Sequence, residues 1–294
     1  MQSLYEETKF LMKKYNIYAN KNLGQNFLIN EEVVDAIIKN SELTSEDLVI
    51  EIGPGLGTLT SRLLKEAGKV ITIELDPKMI DILNDRFELY KNFEIIHEDI
   101  LKINLEELIK KEKKQGGFKN VKIVANLPYY ITTPIIMMLL ESKLDLDSIV
   151  IMIQKEVAQR ITAIPGSKLS GAITYCVNYY SEAKELKIVP NSSFIPAPKV
   201  DSEVIKLTIR KEPPVKVLDK KMFFDIIKAS FMQRRKTLVN ALVNSKIIST
   251  KDEAKEILSN LQIDENVRGE TLSMQEFTKI ENYISKKTEK NIKK

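Results

Sequence analysis

The sequence predicts an α/β fold, a parallel sheet wrapped by helices, followed by a small all-helical C-terminal domain. Three observations carry that prediction. Short β-branched runs alternate with amphipathic helical patterns from about residue 48. A glycine-rich stretch, "GPGLG", joins the first of those runs to a helical pattern. "KEPPV" at 211–215 then breaks the alternation, because paired prolines stop both helix and strand, and everything beyond reads as helix. Residues 1–212 are therefore expected to form an N-terminal arm plus the sheet domain, and 213–294 a helical domain with a basic tail.

The candidate strands, in order, are "LVIEIGP" at 48, "KVITIELD" at 69, "FEIIHEDI" at 93, "VKIVANLP" at 121 and "SIVIMIQ" at 148. Between them lie helical patterns such as "MIDILNDRFELY" and "TPIIMMLLES", and Lys110, Lys111, Lys113 and Lys114 close a further helix whose acidic residues come earlier, as the helix dipole favours. A helix-like "GAITYCVNYYS" follows, then "EAKELKIVP" and the alternating "SEVIKLTIR", which could pair at the sheet edge. The C-terminal helices read as "KKMFFDIIKASFM", "RKTLVNALVNS", "KDEAKEILSNL" and "SMQEFTKIENYISKK". The lysine-rich tail from Lys286 to Lys294 is expected to fray.

Composition narrows the functional classes. The chain has 294 residues, 43% of them hydrophobic, enough for a sizeable core. No apolar run reaches the roughly 18 to 20 residues of a membrane span, and Met1 to Lys14 carries charges where a signal peptide would be apolar. A cytoplasmic monomer without membrane contact is expected. One cysteine, Cys176, and one histidine, His97, leave no internal disulfide, no zinc cluster and no Ser-His-Asp triad, so no metal is expected. His97 sits inside a candidate strand and reads as packed or hydrogen-bonded rather than catalytic. The net charge of +4 is too mild by itself to prove a nucleic-acid partner.

Chemistry first appears in "EIGPGLGTLT" at 51–60. Gly53, Gly55 and Gly57 allow a tight turn and let a ligand approach the backbone. A dinucleotide fingerprint would need glycine at 58, where this chain has Thr58. The G-x-G-x-G spacing behind Glu51 instead resembles motif I of the S-adenosylmethionine-dependent methyltransferases, which have a Rossmann-like sheet. Glu74 ends the next strand, where an acidic side chain accepts ribose hydroxyls, and Asp99 ends the third, where a carboxylate accepts from an adenine amino group. Glycine turn, Glu74 and Asp99 at successive strand ends point to an adenosyl cofactor.

The fourth strand ends in "NLPYYITTP" at 126–134, which resembles motif IV of methyltransferases acting on the exocyclic amine of adenine. That amine is a poor nucleophile because its lone pair is delocalised into the ring. Acceptors at the amine, the Asn126 side-chain oxygen and a backbone carbonyl around Leu127 or Pro128, would hold its hydrogens and favour the pyramidal form that attacks. Pro128 fixes the turn, and Tyr129 can stack on a base drawn out of its helix. A sulfonium donor is reactive enough that alignment and electrostatics suffice without a strong base.

"KNLGQNFLIN" at 21–30, "NSSFIPAPKVDSEV" at 191–204 and "SFMQRRKTLVNAL" at 230–242, with the two motifs above, resemble the small-subunit ribosomal RNA adenine dimethyltransferases, the kasugamycin-sensitivity family. The likeness runs from about residue 17 to "ENVRGETLSMQEF" at 265–277. It implies a substrate in the assembling 30S subunit and, as product, N6,N6-dimethyladenosine at two adjacent adenosines in the hairpin near the 3′ end of 16S rRNA. It also implies that Asn26 and Leu28 join Gly53, Gly55, Glu74, Asp99 and Asn126 around the S-adenosylmethionine, and that Phe194 forms a second stacking wall opposite Tyr129. Arg234, Arg235 and Lys236, with Lys21, Lys155, Arg160 and Lys199, are the candidate rRNA phosphate contacts. Two alternatives stay open: the large-subunit rRNA adenine dimethyltransferases of macrolide resistance, and a non-catalytic assembly or nucleic-acid-binding relative.

Overall fold

The structure is a computed structural model that describes residues 3–20 and 23–292. The strands are β1 (Phe27–Leu28), β2 (Asp47–Ile52), β3 (Lys69–Glu74), β4 (Phe93–His97), β5 (Asn120–Asn126), β6 (Ser148–Gln154), β7 (Ser181–Val189), β8 (Phe194–Ile195) and β9 (Ser202–Ile209). Among the described residues, seven of them form one sheet in the order β4-β3-β2-β5-β6-β9-β7. The first five strands of that order run parallel, and β9 runs antiparallel to β6. β2 is buried at all six positions and β6 at six of seven, as central strands covered on both faces require. The five candidate parallel strands are thus present, and β9 and β7 lie side by side at the edge, as their sequences suggest.

Helices α1 (Leu4–Lys14), α2 (Glu31–Ser41), α3 (Thr60–Glu66), α4 (Pro77–Phe87), α5 (Leu105–Gly116) and α6 (Thr132–Glu141) accompany the sheet. Local chemistry starts and stops them. Asp76 caps α4 by accepting from the Lys78 N–H, with Pro77 at the first helical position, and Gly117 ends α5 in the left-handed conformation. α1 is opened by a capping box of Ser3 and Glu6. Its Leu11, with Ile17 beyond it, joins Phe27, Leu56, Met79 and Ile82 in a buried cluster. Arg86 of α4 cross-links this corner, donating to the Leu56 carbonyl and, at 2.5 Å, to Glu7 of α1.

The strand order reverses between β2 and β5. β2, β3 and β4 succeed one another in one direction, after which the chain returns to place β5 on the other side of β2. In open α/β sheets this reversal leaves a crevice at the carboxyl ends of the strands.

The chain divides into two compact units, Met1–Ala158 with Glu182–Ile209, and Gln159–Ser181 with Arg210–Lys294. This departs from a boundary at 212 that leaves 159–181 with the sheet. The segment holds the end of α7 (Lys155–Thr162) and α8 (Ala172–Tyr180), and α8 is the aromatic heart of the second unit. Tyr175 meets Phe277 edge-on at 5.2 Å, and Tyr179 meets Phe224 at 5.3 Å. Those partners lie on α9 (Lys220–Met232) and α12 (Met274–Ile292); α10 (Leu238–Asn244) and α11 (Lys251–Asn260) complete the helical unit. Of the tail expected to fray, Lys293 and Lys294 lie outside the described residues. α12 runs on to Ile292, anchored by Lys287 pairing with Glu253 of α11 at 3.1 Å.

Candidate active site

One cleft in the first unit collects the carboxyl ends of four parallel strands. It is lined by Gly53 and Gly55 after β2, Glu74 at the end of β3, Asp99 after β4, and Asn126, Leu127, Pro128 and Tyr129 at the end of β5. Asn26 and Leu28 close it from the N-terminal arm. The arm is held there by β1, which pairs antiparallel with β8, Leu28 opposite Phe194.

The glycines divide into two kinds. A Cβ on Gly53 would meet only Pro128 Cδ, at 3.9 Å, and one on Gly55 only the Phe27 ring, from 3.5 Å. Neither would clash, these being ordinary van der Waals distances, and both have positive φ, 65° and 56°. A Cβ on Gly57 would lie 2.6 Å from the Phe87 ring and 2.9 Å from Leu83, so that glycine serves packing. Space beside Gly53 and Gly55, with two acids at the neighbouring strand ends, suits the adenosyl cofactor. Glu74 and Asp99 offer acceptors to hydroxyl and amino groups, and the bare backbone admits close contact.

Glu74 is nearly buried and accepts from the N–H groups of Leu75 (2.8 Å), Asp76 (2.9 Å) and Gly55 (3.3 Å). Burial raises its pKa, and these N–H groups offset part of the shift. The carboxylate is thereby oriented before any ligand arrives. Gln25, also lining the cleft, ties the arm to the next residue but one by donating to Asp76 at 2.8 Å. Sequence reasoning passed over Gln25 and Asp76, whose contact spans residues far apart in the chain.

Glu51, at the floor, is 1% exposed and accepts from Thr60 Oγ1 at 2.6 Å. Burial, with Glu74 nearby, pushes its pKa from 4.5 up to about 8. The folded chain then binds a proton that the unfolded chain releases, so folding stability falls as pH rises from about 4.5 to about 8. Replacing Glu51 by Gln is expected to flatten that dependence and to raise the urea midpoint above the wild type at about pH 8. Urea titrations of the protein alone across this range check it; an unchanged slope in the variant contradicts it.

At the end of β5 the geometry selects between two candidate carbonyls. The Pro128 oxygen already accepts from the Ile131 N–H at 3.3 Å and from Thr132 Oγ1 at 3.0 Å. Leu127 donates its N–H to the Met152 carbonyl at 3.1 Å, and Asn126 donates Nδ2 to the Asn26 carbonyl at 3.4 Å. Among the described residues, neither the Asn126 Oδ1 nor the Leu127 carbonyl receives a hydrogen bond. Those two oxygens are the acceptors left for an incoming amine. Tyr129 is half-buried, its hydroxyl 2.5 Å from Ser202 Oγ, and burial raises its pKa.

Phe194 does not take the expected place. It is 3% exposed, does not line the cleft, and packs with Leu28, Val189 and Val204 in the main core. Its pairing on β8 turns the ring inward, which corrects its reading as a second stacking wall in this conformation. His97 ends β4 with an exposed ring, 3.3 Å from the Leu75 carbonyl, and does not line the cleft. Among the described residues no cluster of His, Cys, Asp and Glu is placed to hold a metal ion.

The basic candidates fall in both units. Lys155 and Lys199 belong to the first; Arg160, Arg234, Arg235 and Lys236 belong to the second. Arg234 is engaged by Glu270 at 2.6 Å and lies over the Phe231 ring, while Arg235 and Lys236 are exposed on the turn between α9 and α10. Lys21 lies outside the described residues.

The family model for ribosomal RNA adenine dimethylase matches residues 16–286. The chain is 48% identical over 281 residues to ribosomal RNA small subunit methyltransferase A of Bacillus pumilus (strain SAFR-032), spanning 95% of this chain and 96% of that protein. It is 50% identical over 277 residues to the protein of the same name from Clostridium botulinum (strain Okra / Type B1), spanning 94% and 98%. A crystal structure of a dimethyladenosine transferase from Plasmodium falciparum matches with a TM-score of 0.74 at 28% identity, over 89% of this chain and 98% of that one. A match along nearly the whole chain, with the motif residues gathered in one cleft, places this protein in the ribosomal RNA adenine dimethylase family.

Proposed function

We propose that this enzyme transfers methyl groups from S-adenosylmethionine to the N6 amines of two adjacent adenosines in the 3′-terminal hairpin of 16S rRNA, in the cytoplasm, on assembling 30S subunits. The observation that carries the reading is the meeting of the Gly53–Gly55 turn, Glu74 and Asp99 with Asn126 and Leu127 in one cleft. The relatives named for small-subunit rRNA, at 48% and 50% identity, favour this substrate over large-subunit rRNA.

Bound S-adenosylmethionine supplies an electrophilic methyl group on a sulfonium. The chain's own residues do the rest. Glu74 and Asp99 are placed to hold the adenosyl end, while Asn126 Oδ1 and the Leu127 carbonyl accept the amine hydrogens, two in the first transfer and the one that remains in the second, and draw the nitrogen toward pyramidal geometry. Tyr129 holds the base by stacking. Leu127 is 1% exposed, so its carbonyl is anchored by the core rather than by a mobile loop. The positive charge that develops at nitrogen is stabilised by preset acceptors, and the amine proton then leaves to water, with no side-chain base required. Exposed Arg235, Lys236 and Lys199 are the cations proposed for rRNA phosphates, which makes binding fall with salt.

The test is transfer of labelled methyl to small subunits lacking the modification, with large-subunit rRNA and DNA in parallel, followed by digestion to nucleosides. Label in N6,N6-dimethyladenosine from small subunits is expected. Label confined to large-subunit rRNA would reassign the substrate, and binding without label would leave an assembly factor.

A further inference from the structure

The segment "FIPAPKVDS" belongs to the likeness described above, yet its aromatic, Phe194, points into the core. Its last residue, Ser202, does reach the cleft residues. Ser202 opens β9, is 0% exposed, and places Oγ 2.5 Å from the Tyr129 hydroxyl. We infer that Ser202 is a positioning residue for methyl transfer: it holds the Tyr129 ring at the angle at which that ring receives the target adenine.

Tyr129 needs such a hold. It lies on a single turn of 3-10 helix, Tyr129–Ile131, whose three residues include none that is buried. Its hydroxyl has no other partner among the described residues than Ser202. Ser202, by contrast, is fixed from several directions. It pairs with Gln154 in the β6–β9 ladder. The preceding Asp201 accepts from the Lys155 N–H at 3.0 Å through its carbonyl and from the Asn191 N–H at 3.0 Å through its side chain. Asn191 in turn donates Nδ2 to the Pro198 carbonyl at 3.2 Å. The proline-rich loop is thus tied to the point that anchors Tyr129, so its order is passed to the ring that faces the substrate. A ring set before the base arrives has less rotational freedom to lose on binding.

This inference rests on the stacking role proposed for Tyr129, and the experiment separates the two. Steady-state transfer to small subunits is measured for Ser202→Ala, Tyr129→Phe, the double variant and Tyr129→Ala, with cofactor affinity measured alongside. Ser202→Ala and Tyr129→Phe each remove the same bond and keep the ring. Each is expected to raise KM for the subunit about tenfold, the scale of one hydrogen bond, with kcat within about twofold and cofactor affinity unchanged. The double variant is expected to be no worse than either single change, and Tyr129→Ala to lose more than Tyr129→Phe. Wild-type KM in Ser202→Ala beside an impaired Tyr129→Ala overturns the role of Ser202 and leaves stacking intact. Additive losses in the double variant also overturn it. Wild-type transfer by Tyr129→Ala overturns the stacking reading itself. If Ser202→Ala does not fold, Tyr129→Phe against Tyr129→Ala decides alone: wild-type KM in Tyr129→Phe contradicts the inference.

Discussion

Asn126→Ala is expected to lower the single-turnover rate of methyl transfer by about 10²–10³-fold while leaving cofactor affinity within about tenfold. The asymmetry follows from where Asn126 sits. Its Nδ2 makes only a 3.4 Å bond to the Asn26 carbonyl, so removing the side chain loosens the arm slightly. Its Oδ1 receives nothing from the protein among the described residues, and the amine loses one of its two acceptors. The contacts assigned to the adenosyl group, at Gly53, Gly55, Glu74 and Asp99, are untouched. Leu127, 1% exposed, keeps its carbonyl in place because the core holds it. Asn126→Asp retains an acceptor oxygen and is expected to retain more of the rate than Asn126→Ala. Single-turnover kinetics with equilibrium cofactor binding on the same preparations check this; equal losses in both quantities contradict the amine-alignment role.

Gly57→Ala is expected to destabilise the protein by about 3 kcal/mol, a fall in Tm of about 5–10 °C. Two costs combine. At φ 82° an L side chain is strained, and the added Cβ would lie 2.6 Å from Phe87 Cε2 and 2.9 Å from Leu83 Cδ2. Both neighbours are buried on α4, 3% and 0% exposed, and have little room to retreat. Gly53→Ala makes the informative contrast. Its Cβ meets nothing nearer than 3.9 Å, so it pays only the backbone strain and intrudes on the space assigned to the cofactor. Thermal melts and cofactor titrations are expected to separate the pair: Gly57→Ala loses mainly stability, Gly53→Ala mainly affinity. Equal stability losses would mean that the tight contact at Gly57 relaxes freely.

The parts legible in the sequence are those whose signal is local. β2 and β6 announce themselves as runs rich in apolar, β-branched residues, interrupted in β2 by Glu51, because parallel strands covered on both faces need them. The α9 pattern "KKMFFDIIKASFM" coincides with the observed helix Lys220–Met232. α1 escapes notice because only Thr8 and Leu11 are buried on it, too few to outweigh its charges. Glu74, Asp99 and Asn126 are legible because each marks a strand end, and parallel strands bring their carboxyl ends to one edge.

Phe194 shows where local reading stops. An aromatic in a proline-rich loop looks alike whether it faces a ligand or the core, and its burial depends on pairing with Leu28, far away in the chain. Ser202 escapes for the same reason, its partner Tyr129 lying 73 residues away. The segment 159–181 resembles the strands' companion helices until its aromatics are seen among Phe223, Phe224 and Phe277.

The measurement that tests the central claim most directly is reverse transcription across the 3′ end of 16S rRNA, after unmodified small subunits are incubated with the enzyme and S-adenosylmethionine. Two methyls on N6 block Watson–Crick pairing and stop the transcriptase. Two adjacent stops at adenosines of the terminal hairpin, absent without cofactor and nearly absent with Asn126→Ala, are the predicted result. Full-length transcripts from the wild-type reaction, or equal stops with Asn126→Ala, would contradict the assignment of this cleft.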